Sequence, residues 1–181
     1  VSETRSEHEA CKARHNGKTP AQYFDSLGVF DAPTTAAHCV WVEDCDIEIF
    51  KARGVTAACN PVSNLKLASG FCPVPRLLDA GVNVALGTDG AASNNNLNLL
   101  EEARLFATLY KAASGDPTAV SPAQAVYAAT RAGALSQGRE DCGTMREGAR
   151  ADLAVLDLRG RPYYHPCHDM VGNLIYAGQG T

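Results

Sequence analysis

A chain of 181 residues with 45% hydrophobic and 20% charged side chains has the make-up of an ordinary globular protein. At about 150 residues per domain it allows one domain with an appendage. A net charge of -4, with no block of like charge, removes the electrostatic ground for a nucleic-acid backbone or an anionic membrane as partner. No run reaches the ~20 apolar residues of a membrane span, and the polar start VSETRSEHEACK is unlike a signal peptide. The seven cysteines are odd in number and include no C-x-x-C pair, which predicts free thiols and a cytoplasmic setting.

From Thr34, TTAAHCVWV is β-branched and apolar, as a strand covered on both faces is. EDCDIEIFKARG then places Ile47, Phe50 and the aliphatic part of Lys51 at helical spacing, with Gly54 as a stop. VTAACNP repeats the strand signal and enters NPVSNLKLASG, which reads as a polar loop; a short helix over PVPRLLDA ends at Gly81. VNVALGTDG is the clearest strand, and in NLNLLEEARLFATLYKAASG behind it Leu97, Leu100, Ala103, Leu105 and Leu109 line an amphipathic helix. Ser121, Pro122 and Gln124 form a capping box that predicts a helix over 122–136. After Gly143 the character changes: ADLAVLDL reads as a strand with no helix behind it, and RGRPYYHPCHD as a loop. A boundary therefore falls near residue 140.

Strands alternating with helices predict an α/β fold with parallel βαβ crossovers. A complete eight-fold β/α barrel usually needs ~250 residues, so the pattern belongs to a smaller fold or to part of a larger one.

In a parallel α/β sheet the site lies at the carboxyl ends of the strands, and three groups of polar residues fall there. Asp89 closes VALGTD, His38 lies near the end of TTAAHCV, and Asn60 and Asn64 follow VTAAC. Asp89 suits a hard oxygen ligand for a metal or a proton acceptor from water; it equally suits a turn residue capping the next helix. His38 is either a functional imidazole or a hydrogen-bonded core histidine. Asn60, Asn64 and the run from Asn94 to Asn96 are loop-forming amides or contacts for a substrate amide or purine edge. Glu3 reads by itself as a solvated carboxylate near a frayed end. His165 and His168 share a Pro-containing loop without H-x-H spacing, and no G-x-S-x-G, P-loop or G-x-G-x-x-G motif is present.

Taken together, SET, TTAAHCV, NPVSNLKLASG, ALGTDGAASNNNLNLLEEARL and GTMREGARADLAVLDL resemble the amidohydrolase superfamily over essentially the whole chain. The likeness is to its aminohydrolase branch, which includes triazine chlorohydrolases and deaminases of S-adenosylhomocysteine, methylthioadenosine and related purines. It implies the C-terminal part of a (β/α)8 TIM-like barrel over 1–140 (about strands 5 to 8) and the start of a small composite β-domain over 141–181.

The resemblance further implies one divalent metal, with zinc ahead of iron or manganese, and hydrolytic deamination of an aminopurine nucleoside or similar heterocycle. It assigns Asp89 as a metal ligand, His38 as the histidine that orients water and polarises substrate, and Glu3 as the proton shuttle. Asn60, Asn64 and Asn94 become substrate contacts. A triazine-type or guanine-type substrate is the alternative. The family's first-strand H-x-H is absent, and its fifth-strand histidine falls immediately before Val1. The resemblance thus predicts a C-terminal piece, inactive alone and with an incomplete metal set, that associates with itself or pairs with an N-terminal half; a truncated gene product is the other alternative.

Overall fold

The computed structural model describes residues 1–178. Two helices that the sequence reading did not anticipate come first, α1 (Arg5–Arg14) and α2 (Pro20–Ser26). Thr4 caps α1 by accepting the Glu7 N–H, and Thr19, Pro20 and Gln22 open α2 with a full capping box. Then follow β1 (Thr35–Ala37), α3 (Asp44–Arg53), β2 (Thr56–Cys59), α4 (Pro61–Lys66), α5 (Val74–Asp79) and β3 (Val84–Leu86). The strands form one parallel sheet in the order β1-β2-β3, with Ala36 opposite Ala57 and Ala57 opposite Val84. Every residue of β3 is buried, as befits a parallel strand covered by helices.

Helices α7 (Leu99–Ser114), α8 (Pro122–Ala129) and α9 (Arg131–Ser136) contact β3, and α10 (Met170–Ala177) lies against α7 and α8. Phe24, Phe30 and Phe50 meet edge to face, and Phe106 packs against Tyr110 at 5.7 Å. Phe50 and Phe106 are wholly buried, each contributing ~1.5–3 kcal/mol of apolar transfer. Gly54, in the left-handed conformation, ends α3 where the sequence places the stop.

Four expectations are corrected. The first strand ends at Ala37, because His38 and Cys39 both turn left-handed, with φ of 70° and 50°. NPVSNLKLASG is not a loop: Asn60 precedes α4 and Pro61 occupies its first position. The helix over 122–136 is broken at Thr130, whose φ of -125° and ψ of -83° leave the helical region. ADLAVLDL forms no strand. A strand needs a neighbour for its backbone N–H and C=O groups, and among the described residues none pairs with this segment, where Val155 is 93% exposed.

Candidate functional site

The site is built from the residues just beyond the strands. His38 follows β1 and still pairs with its neighbour, its N–H reaching Ala58 O at 2.9 Å; Asn60 follows β2 and Asp89 lies three residues beyond β3. Three of these tip residues are non-glycine residues at positive φ: His38, Cys39 and Asp89 at 59°. Such conformations cost ~1–3 kcal/mol each and cluster where a fold must aim a side chain. Residues 1 and 2 run beside the exit of β1: Cys39 N–H donates to Val1 O at 3.1 Å, and the Val40 and Trp41 N–H groups donate to Ser2 O. That tether carries Glu3 to the strand ends, so the frayed terminus expected at this position is not what forms.

Around the His38 ring, Nδ1 lies 2.9 Å from Asn64 Oδ1 and Nε2 lies 3.8 Å from Glu3 Oε2. The His38 and Glu3 side chains are 14% and 31% exposed, buried enough to be held and open enough to be reached. Ser69 Oγ donates to Glu3 Oε1 at 3.3 Å, and its carbonyl accepts the Trp41 indole N–H at 2.8 Å. Asp89 Oδ2 accepts from Ser63 Oγ and Ser93 Oγ, each at 2.7 Å, while Oδ1 accepts the Gly90 N–H. The Ser63 hydroxyl first, then Ser93, holds the Asp89 carboxyl below the usual range, with smaller help from the Gly90 N–H and His38 against a partial burial that opposes it. Asp89 is therefore an ionised oxygen donor at neutral pH.

Asn94 is buried: its amide donates to Thr88 O at 2.7 Å and to Glu102, and its oxygen accepts the Leu97 N–H at 3.3 Å. Asn60 is also buried, with Nδ2 3.5 Å from His38 Nδ1. All three asparagines thus turn towards protein groups. Glu102 on α7 has no exposed surface and accepts the Val62 N–H at 3.0 Å together with the Asn94 amide. Burial raises its carboxyl above the usual range, against those two donors. Ser63, Ser69, Ser93 and Glu102 were missed from sequence. Only Ser93 carried a signal, four residues beyond Asp89.

Burial pushes the Cys39 thiol up to about 12, and all seven cysteines are free. A cavity of about 230 Å³ lined by Leu78, Asn83, Gln124 and Tyr127 lies at the entry end of β3, opposite Asp89. Among the described residues no three His, Cys, Asp or Glu side chains come together to hold a metal ion. Asp89 has the hard-oxygen chemistry of one ligand, and the chain alone does not fit an ion. No helix of the described residues is long and apolar enough to cross a membrane.

Comparison with known proteins adds four matches. The amidohydrolase family profile matches residues 1–178. The chain is 50% identical over 181 residues to the 5-methylthioadenosine/S-adenosylhomocysteine deaminase of Pelotomaculum thermopropionicum, covering all of this chain and 41% of that protein. Among solved structures it superposes with TM-score 0.92 and 39% identity on an adenosine deaminase from Xanthomonas campestris with bound zinc, covering 97% of this chain and 40% of the other. An atrazine chlorohydrolase from Arthrobacter aurescens TC1, complexed with zinc, matches at TM-score 0.87 and 30% identity over 94% of this chain and 38% of its own. The chain thus spans about two fifths of the length of such relatives.

Proposed function

Because the chain belongs to the amidohydrolase family, we propose that it supplies Glu3, His38 and Asp89 to the active site of a hydrolytic deaminase acting on adenosine-type nucleosides. The reaction adds water to the ring carbon bearing the amino group and releases ammonia. Glu3, with Oε1 held by Ser69, accepts one proton of the attacking water and passes it to the ring nitrogen, then carries the second proton, from the hydroxyl so formed on the carbon, to the amine that leaves as ammonia. His38 presents Nε2 on the same side as Glu3 and orients the water and the ring. Asp89, kept ionised by two serines, is the one metal ligand this chain contributes. A divalent ion, zinc by analogy with the structural relatives, would be held in part by Asp89 and would supply Lewis acidity to the site. Asn64 and Asn94 brace protein groups in this scheme, and Asn60 lies beside the His38 ring.

The observation that carries the reading is the 3.8 Å approach of Glu3 to His38 at the strand ends, on the sheet whose third tip ends in Asp89. β3 has a strand neighbour on one side only among the described residues, which supports pairing with further strands of a barrel. We place residues 1–140 in that barrel and 141–178 beyond it, and the free thiols are in keeping with the cytoplasm.

The test is ammonia release by the complete polypeptide carrying this chain, offered methylthioadenosine, S-adenosylhomocysteine, guanine and a chlorotriazine. Turnover of the first two ahead of the others supports the proposal; dechlorination of the triazine without nucleoside deamination refutes it. The 181-residue chain incubated with zinc is expected to be inactive.

A further inference from the structure

We propose that Asn64 is a positioning residue that fixes the tautomer of His38, keeping the proton on Nδ1 and leaving Nε2 as the nitrogen that faces Glu3. The inference rests on the reading of His38 as a group of the reaction and adds how that group is set. A neutral imidazole has one donor and one acceptor nitrogen, and the ring can serve the site only if the right one faces it. Asn64 Oδ1, 2.9 Å from Nδ1, can only accept, so Nδ1 carries the hydrogen. Asn60 Nδ2, the other group near Nδ1, stands at 3.5 Å, too far to compete with that contact.

Asn64 is only 2% exposed, and its Nδ2 is the buried side-chain donor left without a partner among the described residues.

The backbone holds Asn64 in place: its N–H donates to Asn60 O at 2.9 Å and its carbonyl accepts the Ser69 N–H at 2.8 Å. His38 is held from its own side by the left-handed φ of 70° and the Ala58 hydrogen bond. An amide here orients the ring without adding the negative charge by which a carboxylate would favour imidazolium. The ring stays free to exchange a proton at Nε2.

The test is ¹⁵N NMR of histidine-labelled protein at a pH where His38 is neutral, since the two ring nitrogens differ widely in shift between tautomers. The native protein is expected to show His38 with Nδ1–H predominating. In Asn64→Leu, folded as judged by its thermal transition, that form is expected to give way to Nε2–H. Asn64→Asp, the same size and still an acceptor, is expected to retain Nδ1–H, and it serves alone if the Leu variant does not fold. Predominance of Nε2–H in the native protein or in Asn64→Asp, or persistence of Nδ1–H in a folded Asn64→Leu, overturns the proposal. A protein with the stated tautomer that deaminates nothing would instead refute the functional reading, so the two fail separately.

Discussion

Ser63 Oγ lies 2.7 Å from Asp89 Oδ2 and thereby ties helix α4 to the turn beyond β3. Ser93 reaches the same oxygen at the same distance from α6 (Ala91–Asn94), so one carboxylate oxygen joins two helices. Ser63→Ala is expected to cost about 1 kcal/mol in urea unfolding, the scale of a partly exposed hydrogen bond. Because both hydroxyls share Oδ2, the Ser63→Ala/Ser93→Ala pair is expected to depart from additivity by ~0.5 kcal/mol or more. Strict additivity would mean that the two bonds act independently.

Glu102 joins α7 to the site from behind. Replacing it with Ala removes the acceptor for both the Val62 N–H and the Asn94 amide, leaving two buried donors unpaired at about 1–3 kcal/mol each. The expected loss is ~2–6 kcal/mol. Glu102→Gln keeps the shape but turns an NH2 towards one of those donors, so it is expected to recover only part of the loss in the same unfolding measurement.

Glu43 accepts from Lys12 Nζ at 2.6 Å and pairs with His8 Nε2 at 3.0 Å; Lys12 first, then His8, lowers its carboxyl below the ordinary value. A carboxyl depressed in the folded state stabilises the fold fully above its unfolded pKa, about 4.3 for a glutamate. That stabilisation is lost as pH falls through the lower folded value. The Tm difference between native protein and Glu43→Gln is therefore expected to be modest, as for a half-exposed ion pair, to be fully present at pH 6 and to shrink below about pH 4. A difference that stays constant with pH would show that the pair contributes nothing through its charge.

Gly87 leaves β3 beside Asn60, and a Cβ there would run into Asn60 Oδ1. Gly87→Ala is expected to destabilise by ~1–3 kcal/mol, as overpacking does. Adding Asn60→Ala should restore much of that loss if the clash is the cause. Thermal melts of the two variants decide it.

Much of this arrangement was legible in the sequence, and the misses have physical causes. SPAQ at 121–124 is a capping box and opens α8; TPAQ at 19–22 is the same signal and opens α2, so the same rule reaches that helix. The Asn60-Pro61 start of α4 was likewise readable as a helix entry, but the polar residues behind it looked like a loop. The left-handed turn at His38 and Cys39 has only a weak local signal: histidine is enriched in that conformation among non-glycine residues, whereas cysteine is not one of the residues that favour it. ADLAVLDL has the composition of a strand, yet strand formation depends on a neighbour that sequence composition cannot supply. For the site, the three chemical groups stood in quoted motifs, whereas Ser69 and Glu102 act through contacts across 66 and 40 positions.

The central claim, that Glu3 moves the proton while His38 and Asp89 are held around it, is tested most directly by Glu3→Gln in the complete polypeptide. Gln keeps the size and the acceptor for Ser69 but cannot take up a proton. The expected result is a fall in kcat for ammonia release of at least about 10²-fold, with folding and zinc content unchanged. A Glu3→Gln protein that deaminates at the native rate would contradict the account.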